Sequence, residues 1–356
     1  MLTGNRGEWS EVYALFKLLA EGKLYPGDKN ITKVTKLFFP IIKIIKNESG
    51  INFEYELDGD IVLVNDSINE FRIHVKDFQA NAIKLLDVIK KSKKTFGDSD
   101  IEHFMLSFNS KKLKAKSTVK SDIRIIIHDL RINTTADLGF SIKSELGGDS
   151  TLLNAGETTN FVYKIEGYDF TESEMSIIND IDTKSKIKDR LLKILSYGTA
   201  ISFAEPYRQI FKNNLILIDS LLPNILAELT YSFYTSKYNS IKELTGVITK
   251  KNPLGYDFQH SHSFYEYKIK RFLTDVALGM MPSKVWSGTY DATGGNLVVK
   301  ANGDVLCYHI YDRNEFENYL YENTRLETAS STKHKFGTIY SSNLEFYFKL
   351  NLQVRF

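Results

Sequence analysis

A mixed fold, α/β or α+β with a β-rich C-terminal region, is the class these 356 residues predict. Three observations carry that reading. Alternating apolar runs meet at Asp58-Gly59 and again at Asn302-Gly303, dipeptides that tolerate the positive φ of tight hairpin turns. Two stretches near the N-terminus place apolar residues at helical spacing. From Thr171 to Ile248 the pattern is mostly helical, and the character changes after Pro253.

In chain order, "GEWSEVYALFKLLAEGKL" reads as an opening helix. Trp9, Val12, Tyr13, Phe16, Leu19 and Ala20 share one face, and Gly22 is its stop. "INFEYELDGDIVLVND" is a hairpin. "VKDFQANAIKLLDVIKKSKK" is a second amphipathic helix whose last lysines suit its negative pole. "KKLKAKSTVK" holds five lysines in ten residues and no acid, a solvated loop or a flank that faces phosphates. "KSKIKDRLLKILSYG" and "YRQIFKNNLILIDSLLPNILAELTYSFY" are the main central helices. "NLVVKANGDVLCYHIY" is a hairpin, "DRNEFENYLYEN" a helix with Asp312 and Glu315 at capping-box spacing, and "NLEFYFKLNLQVRF" a terminal strand. The expected organisation is a core over residues 1–250 with a helical insertion, followed by a β-rich region over 251–356.

Bulk composition narrows the class. Apolar and charged fractions of 42% and 25% are those of a globular protein, and no run of about eighteen apolar residues suggests a membrane span. The opening helix begins too early for a signal peptide. The single cysteine, Cys307, permits no internal disulfide and suits a reducing cytoplasm. A net charge of +2 announces no polyanion ligand, so any basic surface must come from local segregation.

The segment "SDIRIIIHDLRINTTADLGFSIKSELGG", residues 121–148, joins two alternating strands. One register satisfies both patterns, setting Ile123 opposite Ile142, Ile125 opposite Phe140 and Ile127 opposite Leu138. It places Asp122 opposite Lys143 and Arg124 opposite Ser141; a slip of two residues keeps all four on one face. An exposed face with a cross-strand ion pair, worth under about 1 kcal/mol, is one reading. The other is a catalytic pair, in which Asp122 binds Mg²⁺ and Lys143 activates water or stabilises charge on phosphorus oxygens. This is the layout of the PD-(D/E)xK nuclease core, with Ser141-Ile142-Lys143 where that core has acid-x-lysine.

Four longer segments, "GNRGEWSEVYALFKLLAEGKLY", "LGFSIKSELGGDSTLLNAGETTNFVYKI", "FQHSHSFYEYKIKRFL" and "KVWSGTYDATGGNLVVKANGDVLCYHIYDRNEFENYL", together resemble the HpaII family of type II restriction endonucleases over almost the whole chain. The resemblance implies a restriction-endonuclease-like mixed sheet flanked by helices. It also implies Mg²⁺-dependent cleavage of double-stranded DNA at CCGG by a homodimer, with a DNA methyltransferase as functional partner and a prokaryotic cytoplasm as location.

The Ser-x-Lys variant is also similar to restriction enzymes that cut around a CCGG core and carry the missing glutamate fourteen residues after the lysine, a position that is Glu157 here. Those enzymes have an arginine-rich reading motif just past the lysine, where this chain has "SELGGDS". Glu145 is a competing metal ligand, on Lys143's face if the strand continues. Glu11, four residues after Gly7 on the first helix, is a further candidate. For DNA contacts the candidates are Lys116 and Lys120 in the lysine-rich run, Lys284, Ser287, Thr289 and Thr293 in "KVWSGTYDATGG", and Lys333, His334 and Lys335 in "SSTKHKFG". His260 and His262 read as a loop pair rather than a zinc site, and Trp286 as a core residue. Two other functions fit the same residues: a repair or structure-selective nuclease of this fold, or a non-enzymatic DNA-binding protein whose core acid is replaced by Ser141.

Overall fold

The computed structural model describes residues 1–113, 120–308 and 312–356. Its N-terminal elements are α1 (Arg6–Glu21), β1 (Lys23–Pro26), β2 (Phe39–Glu48), β3 (Ile51–Asp58), β4 (Ile61–Asn65), β5 (Glu70–His74), α2 (Val75–Lys91) and α3 (Ser99–Leu106). Next come β6 (Ile123–Asp129), β7 (Thr134–Ser144), β8 (Thr151–Leu153) and β9 (Asn160–Glu166). The middle holds α4 (Glu172–Asn179), α5 (Lys186–Leu195), β10 (Ala200–Pro206), α6 (Gln209–Ile218), α7 (Leu222–Thr235), α8 (Ile241–Lys251) and α9 (Phe264–Leu278). Last are β11 (Gly295–Val299), β12 (Val305–Tyr308), α10 (Arg313–Asn323), β13 (Arg325–Leu326), α11 (Ser331–His334), β14 (Ile339–Ser342), β15 (Glu345–Asn351) and β16 (Val354–Arg355).

These elements form two compact units that interleave along the chain. The first comprises Met1–Ser150, Ala277–Gly279 and Tyr290–Tyr319; the second comprises Thr151–Val276, Met280–Thr289 and Leu320–Phe356. Residue 250 therefore falls inside the second unit. The β-rich C-terminal third is divided, because β11 and β12 pair into the sheet of the first unit while β13 to β16 belong to the second.

The first unit is built on a nine-stranded sheet in the order β1-β12-β11-β7-β6-β2-β3-β4-β5. Both expected hairpins are present. Gly59 turns β3 into β4 at φ 57°, and Gly303 turns β11 into β12 at φ 96°. The sheet is mixed: β11 runs parallel to β7, and β1 parallel to β12. Gly295 at φ 88° opens β11, where a β-carbon would lie 2.0 Å from the Tyr308 carbonyl, so only glycine lets the strand start there. The predicted helical face of α1 is buried at Trp9, Val12, Tyr13, Phe16 and Leu19, and Gly22 ends the helix in the left-handed region. Phe16, Phe78 and Phe104 pack edge to face at 5.2–5.7 Å between centroids, each pair adding about 1 kcal/mol beyond the area it buries.

Strand β2 is an element the sequence reading left unassigned. Its inner end carries a buried ion pair, Lys46 with Glu48 at 3.1 Å. Glu48 also accepts the Ser110 hydroxyl at 2.6 Å and the backbone N–H groups of Lys111 and Lys112 at 2.9 and 3.1 Å. Lys46 donates to the Lys112 carbonyl at 2.8 Å. Every group of the pair has partners, so the first residues of the lysine-rich run are fixed to the sheet.

In the second unit β9 is central to a four-stranded antiparallel sheet, β10-β9-β15-β14, beside a three-stranded one, β13-β16-β8. Helix α7 packs on β10 and β15, and the Tyr163 hydroxyl of β9 donates to the Ala227 carbonyl at 2.7 Å. The stretch expected to be helical thus contains a strand, β10. Its alternation is interrupted by a bulge between Phe203 and Glu205, which masks the two-residue period. No single helix among the described residues is long and apolar enough to cross a membrane.

Glu48→Ala is expected to destabilise the first unit by about 3–5 kcal/mol, because it strands the buried Lys46 ammonium and the buried Ser110 hydroxyl. Urea denaturation measures this, and a Lys46→Met, Glu48→Leu double variant should recover much of the loss.

Candidate active site

The site begins with a turn. Asp129 and Thr134 close a four-residue connection between β6 and β7, with Asn133 in the left-handed region at φ 49°. The buried Asp129 carboxylate holds it by accepting the backbone N–H of Arg131 at 2.9 Å and its guanidinium at 3.1 and 3.0 Å. This turn is two residues shorter than the expected register requires. Ile123 therefore faces Phe140, Ile125 faces Leu138, and Arg124 faces Gly139, correcting the pairings predicted from the apolar pattern. A shift of two preserves every residue's face, so the isoleucines still meet the core. Arg124 is not beside Ser141; it is exposed and ion-paired with Asp137.

The polar face survives the shift and is not exposed. Ser141 is buried, and Asp122 and Lys143 are half-buried. The Asp122 carboxylate is not simply opposite Lys143. One of its oxygens accepts the Ile142 backbone N–H at 2.7 Å and the Ser141 hydroxyl at 3.3 Å. These bonds fix the rotation of the carboxylate at the point where β6 begins. Burial raises the Asp122 pKa above the usual carboxylate range, opposed by the Ile142 N–H, the Lys143 charge, the Ser141 hydroxyl and Lys120. Burial also lowers the pKa of Lys143, opposed by the charges of Asp122 and Glu11. Lys120 lies close enough to feel both Lys143 and Asp122, and burial first, then Lys143, pushes it down to about 8. Two lysines and two acids therefore share one poorly solvated face.

Glu11 reaches this face because α1 is fixed to the end of β7. The Ser144 hydroxyl donates to the Ser10 hydroxyl at 2.8 Å, and Ser10 donates in turn to the Arg6 carbonyl at 2.7 Å. Glu8, one turn earlier, is used in a capping box with Asn5.

The remaining acids are placed elsewhere. Strand β7 ends at Ser144, so Glu145 does not continue Lys143's face. Its backbone N–H donates to the Val299 carbonyl at 2.9 Å and its carboxylate accepts the Ala301 N–H at 3.0 Å, tying it to the β11–β12 hairpin. Glu157 belongs to the second unit, in a 3₁₀ turn before β9, ion-paired with Lys335 at 2.8 Å and Arg208 at 3.0 Å.

Among the DNA-contact candidates, Lys116 lies outside the described residues. Lys120 joins the site itself. Lys284, Ser287 and Thr289 are exposed on a loop that buried Asn214 pins by donating to the Lys284 carbonyl at 2.8 Å and accepting the Trp286 N–H at 3.1 Å. Thr293 accepts the Gly139 N–H at 3.1 Å, bracing the middle of β7. Lys333 and His334 lie on α11, and Lys335 caps it at φ 52°. Trp286 is half-buried and donates its indole N–H to the Thr289 carbonyl at 2.8 Å. His260 and His262 are exposed, His262 stacked on Phe264.

Among the described residues no three His, Cys, Asp or Glu side chains converge. The donors present fit Mg²⁺ held through one or two carboxylates, with water and phosphate oxygens completing its shell, rather than a cage made by protein alone. Asp122, oriented by Ile142 and Ser141, is such a donor, and Glu11 is, after Asp122, the second acid whose charge reaches Lys143. The sequence reading did not assign Lys120 to this centre; its position two residues before Asp122 was the available signal.

Comparison with known proteins identifies the family of the chain. The model of the HpaII restriction endonuclease family matches residues 5–356. The chain is 46% identical over 358 aligned positions to the type II restriction enzyme HpaII of Haemophilus parainfluenzae, covering 99% of this chain and 98% of that protein. No solved structure matches it. A half-buried Asp-Ser-Lys face on a mixed sheet, in a chain matched from end to end, leads to one conclusion: this protein belongs to the HpaII family of restriction endonucleases.

Proposed function

We propose that the protein is a Mg²⁺-dependent type II enzyme that hydrolyses phosphodiester bonds of duplex DNA at CCGG sites. The observation that carries this reading is the oriented Asp122 carboxylate beside Lys143, on a chain so similar to the HpaII enzyme. A palindromic site matches a two-fold symmetric protein, so a homodimer would present one such centre to each strand. A DNA methyltransferase acting on the same site would be the functional partner that protects the host.

The geometry supports the following roles. A bound Mg²⁺ would polarise the phosphate and lower the pKa of an attacking water. Asp122 would hold it with Glu11, since the Ile142 N–H and Ser141 hydroxyl already set the carboxylate in place. Lys143 would stabilise the charge that builds on the phosphorus oxygens, and its poor exposure would strengthen that effect. Asp122 and Glu11 favour its ammonium form against the cost of burial. Lys120 would be a second cation facing the phosphate. Ser141 contributes a hydroxyl where related cores have a carboxylate, leaving the face with one negative charge fewer. Lys284, Ser287 and Thr289, on their exposed loop, would contact the duplex outside the reacting phosphate.

Plasmid DNA with mapped CCGG sites should be cut into the corresponding fragments with Mg²⁺ and left intact with EDTA or after methylation of those sites. Fragments that map to another sequence would remove the CCGG assignment and leave the nuclease assignment standing.

Lys143→Met and Asp122→Asn should each bind a CCGG duplex in Ca²⁺ yet cleave at least about 10³-fold more slowly in Mg²⁺, or about 4 kcal/mol of barrier. Ser141→Ala should cost far less, because Ile142 still donates to Asp122. Single-turnover cleavage rates measure all three, and a near wild-type rate for Lys143→Met would place the chemistry elsewhere.

A further inference from the structure

The second unit carries a cluster of one acid and three cations, with Arg208 and Lys335 exposed and Glu157 and Lys349 half-buried. Glu157 bridges Lys335 at 2.8 Å and Arg208 at 3.0 Å. Lys349, on the neighbouring strand β15, is half-buried, and burial is the main cause that lowers its pKa; of the three charges, Glu157 favours its ammonium form, and Lys335 and Arg208 disfavour it. The formal balance, three positive charges against one negative, is +2.

The cations are held by rings. The Arg208 guanidinium lies 4.7 Å from the centre of the Tyr207 ring, and the Lys349 ammonium lies 4.5 Å from the same ring. The Tyr340 ring is 5.4 Å from Lys349. Lys335 is presented from a left-handed backbone position, φ 52°, at the end of α11. That is an uncommon conformation for a residue with a side chain.

A carboxylate that accepts from a lysine and from one arginine nitrogen carries the single negative charge of a phosphodiester and offers the same kind of anionic acceptor oxygens. The two bridges are weak in the way exposed ion pairs are, with Lys335 69% and Arg208 51% exposed. An adjacent polyanion would displace a single carboxylate from them and release counterions in doing so. Cations that repel one another and are only partly neutralised gain most from a ligand with more than one negative charge.

We infer that Arg208, Lys335 and Lys349 form a clamp for the phosphodiester backbone of duplex DNA, and that Glu157 occupies it as a phosphate mimic until DNA arrives. This rests on duplex DNA being the substrate, as proposed above. It also gives Glu157 a role opposite to that of a metal ligand. A metal ligand is needed for cutting, whereas a mimic competes with the substrate and restrains non-specific binding.

The test is fluorescence anisotropy of the full-length protein on a duplex of about 30 base pairs lacking CCGG, without divalent ions, across a salt series. Thermal melting would confirm that each variant is folded. Glu157→Gln should bind at least about threefold more tightly at low salt and show a steeper salt dependence. Arg208→Ala and Lys335→Ala should each bind several-fold more weakly, with the slope of log affinity against log salt reduced by about one. Glu70→Gln, which removes an exposed acid paired with Arg72, should change binding less than about twofold.

Glu157→Gln binding that is unchanged or weaker overturns the inference, as does an equal gain in Glu70→Gln. Loss of Mg²⁺-dependent cleavage in Glu157→Gln with unaltered binding overturns it too, in favour of a metal role. Inorganic phosphate should displace the duplex no more than chloride at equal ionic strength; stronger displacement would mark a site for free phosphate and overturn the backbone assignment. Wild-type cleavage of a CCGG plasmid, measured separately, reports on the substrate reading alone.

Discussion

The pairing of β7 is the constraint on which the first unit depends. This one strand is bonded to β6 on one side, antiparallel, and to β11 on the other, parallel. Its register against β6 is set by the tight turn that Asp129 holds, and its register against β11 sets Asn296 beside Ser141 and Val298 beside Lys143. A slip of one residue on either side would turn Phe140 out of the core and Ser141 into it. Once that register holds, Ile142 has its N–H directed at Asp122, and the carboxylate has only one comfortable orientation.

Charge placement follows from the same strand. Lysine and aspartate are seldom buried without partners, since the charged forms lose their water. Here Asp122, Lys120 and Lys143 lose water together, and the acids Asp122 and Glu11 offset part of the cost to Lys143 while the two lysines oppose each other. A face with balanced charge and little water can hold a phosphate and a divalent ion without first displacing a solvent network. The second unit uses the opposite regime. There Arg208 and Lys335 are exposed, their bridges to Glu157 are weak, and salt screens them.

Several elements were legible from local pattern. The face and stop of α1, the turns at Gly59 and Gly303, and helix α2 emerged as their periods and dipeptides predicted. The polar face holding Asp122, Ser141 and Lys143 was visible because alternation survives a two-residue error in register. That register was not legible: Asp129 binding its own turn competes with the best match of isoleucines, and side-chain hydrogen bonds leave no period. Strand β10 was hidden by its bulge, and the buried pair of Lys46 and Glu48 looks in sequence like any alternating charged edge.

By itself, the sequence determined which residues share a face, where glycine must turn the chain, and which family the protein belongs to. All of these depend on neighbours a few positions apart or on the identity of long segments. Only the tertiary structure decided which glutamate could stand near Lys143. Glu11, Glu145 and Glu157 are equivalent by spacing, yet a Ser10–Ser144 bond brings α1 to the end of β7, the Ala301 N–H engages Glu145, and two cations engage Glu157. Each of these outcomes rests on a contact between distant parts of the chain, where the energy of a carboxylate depends on its partners and its access to water rather than on its position in sequence.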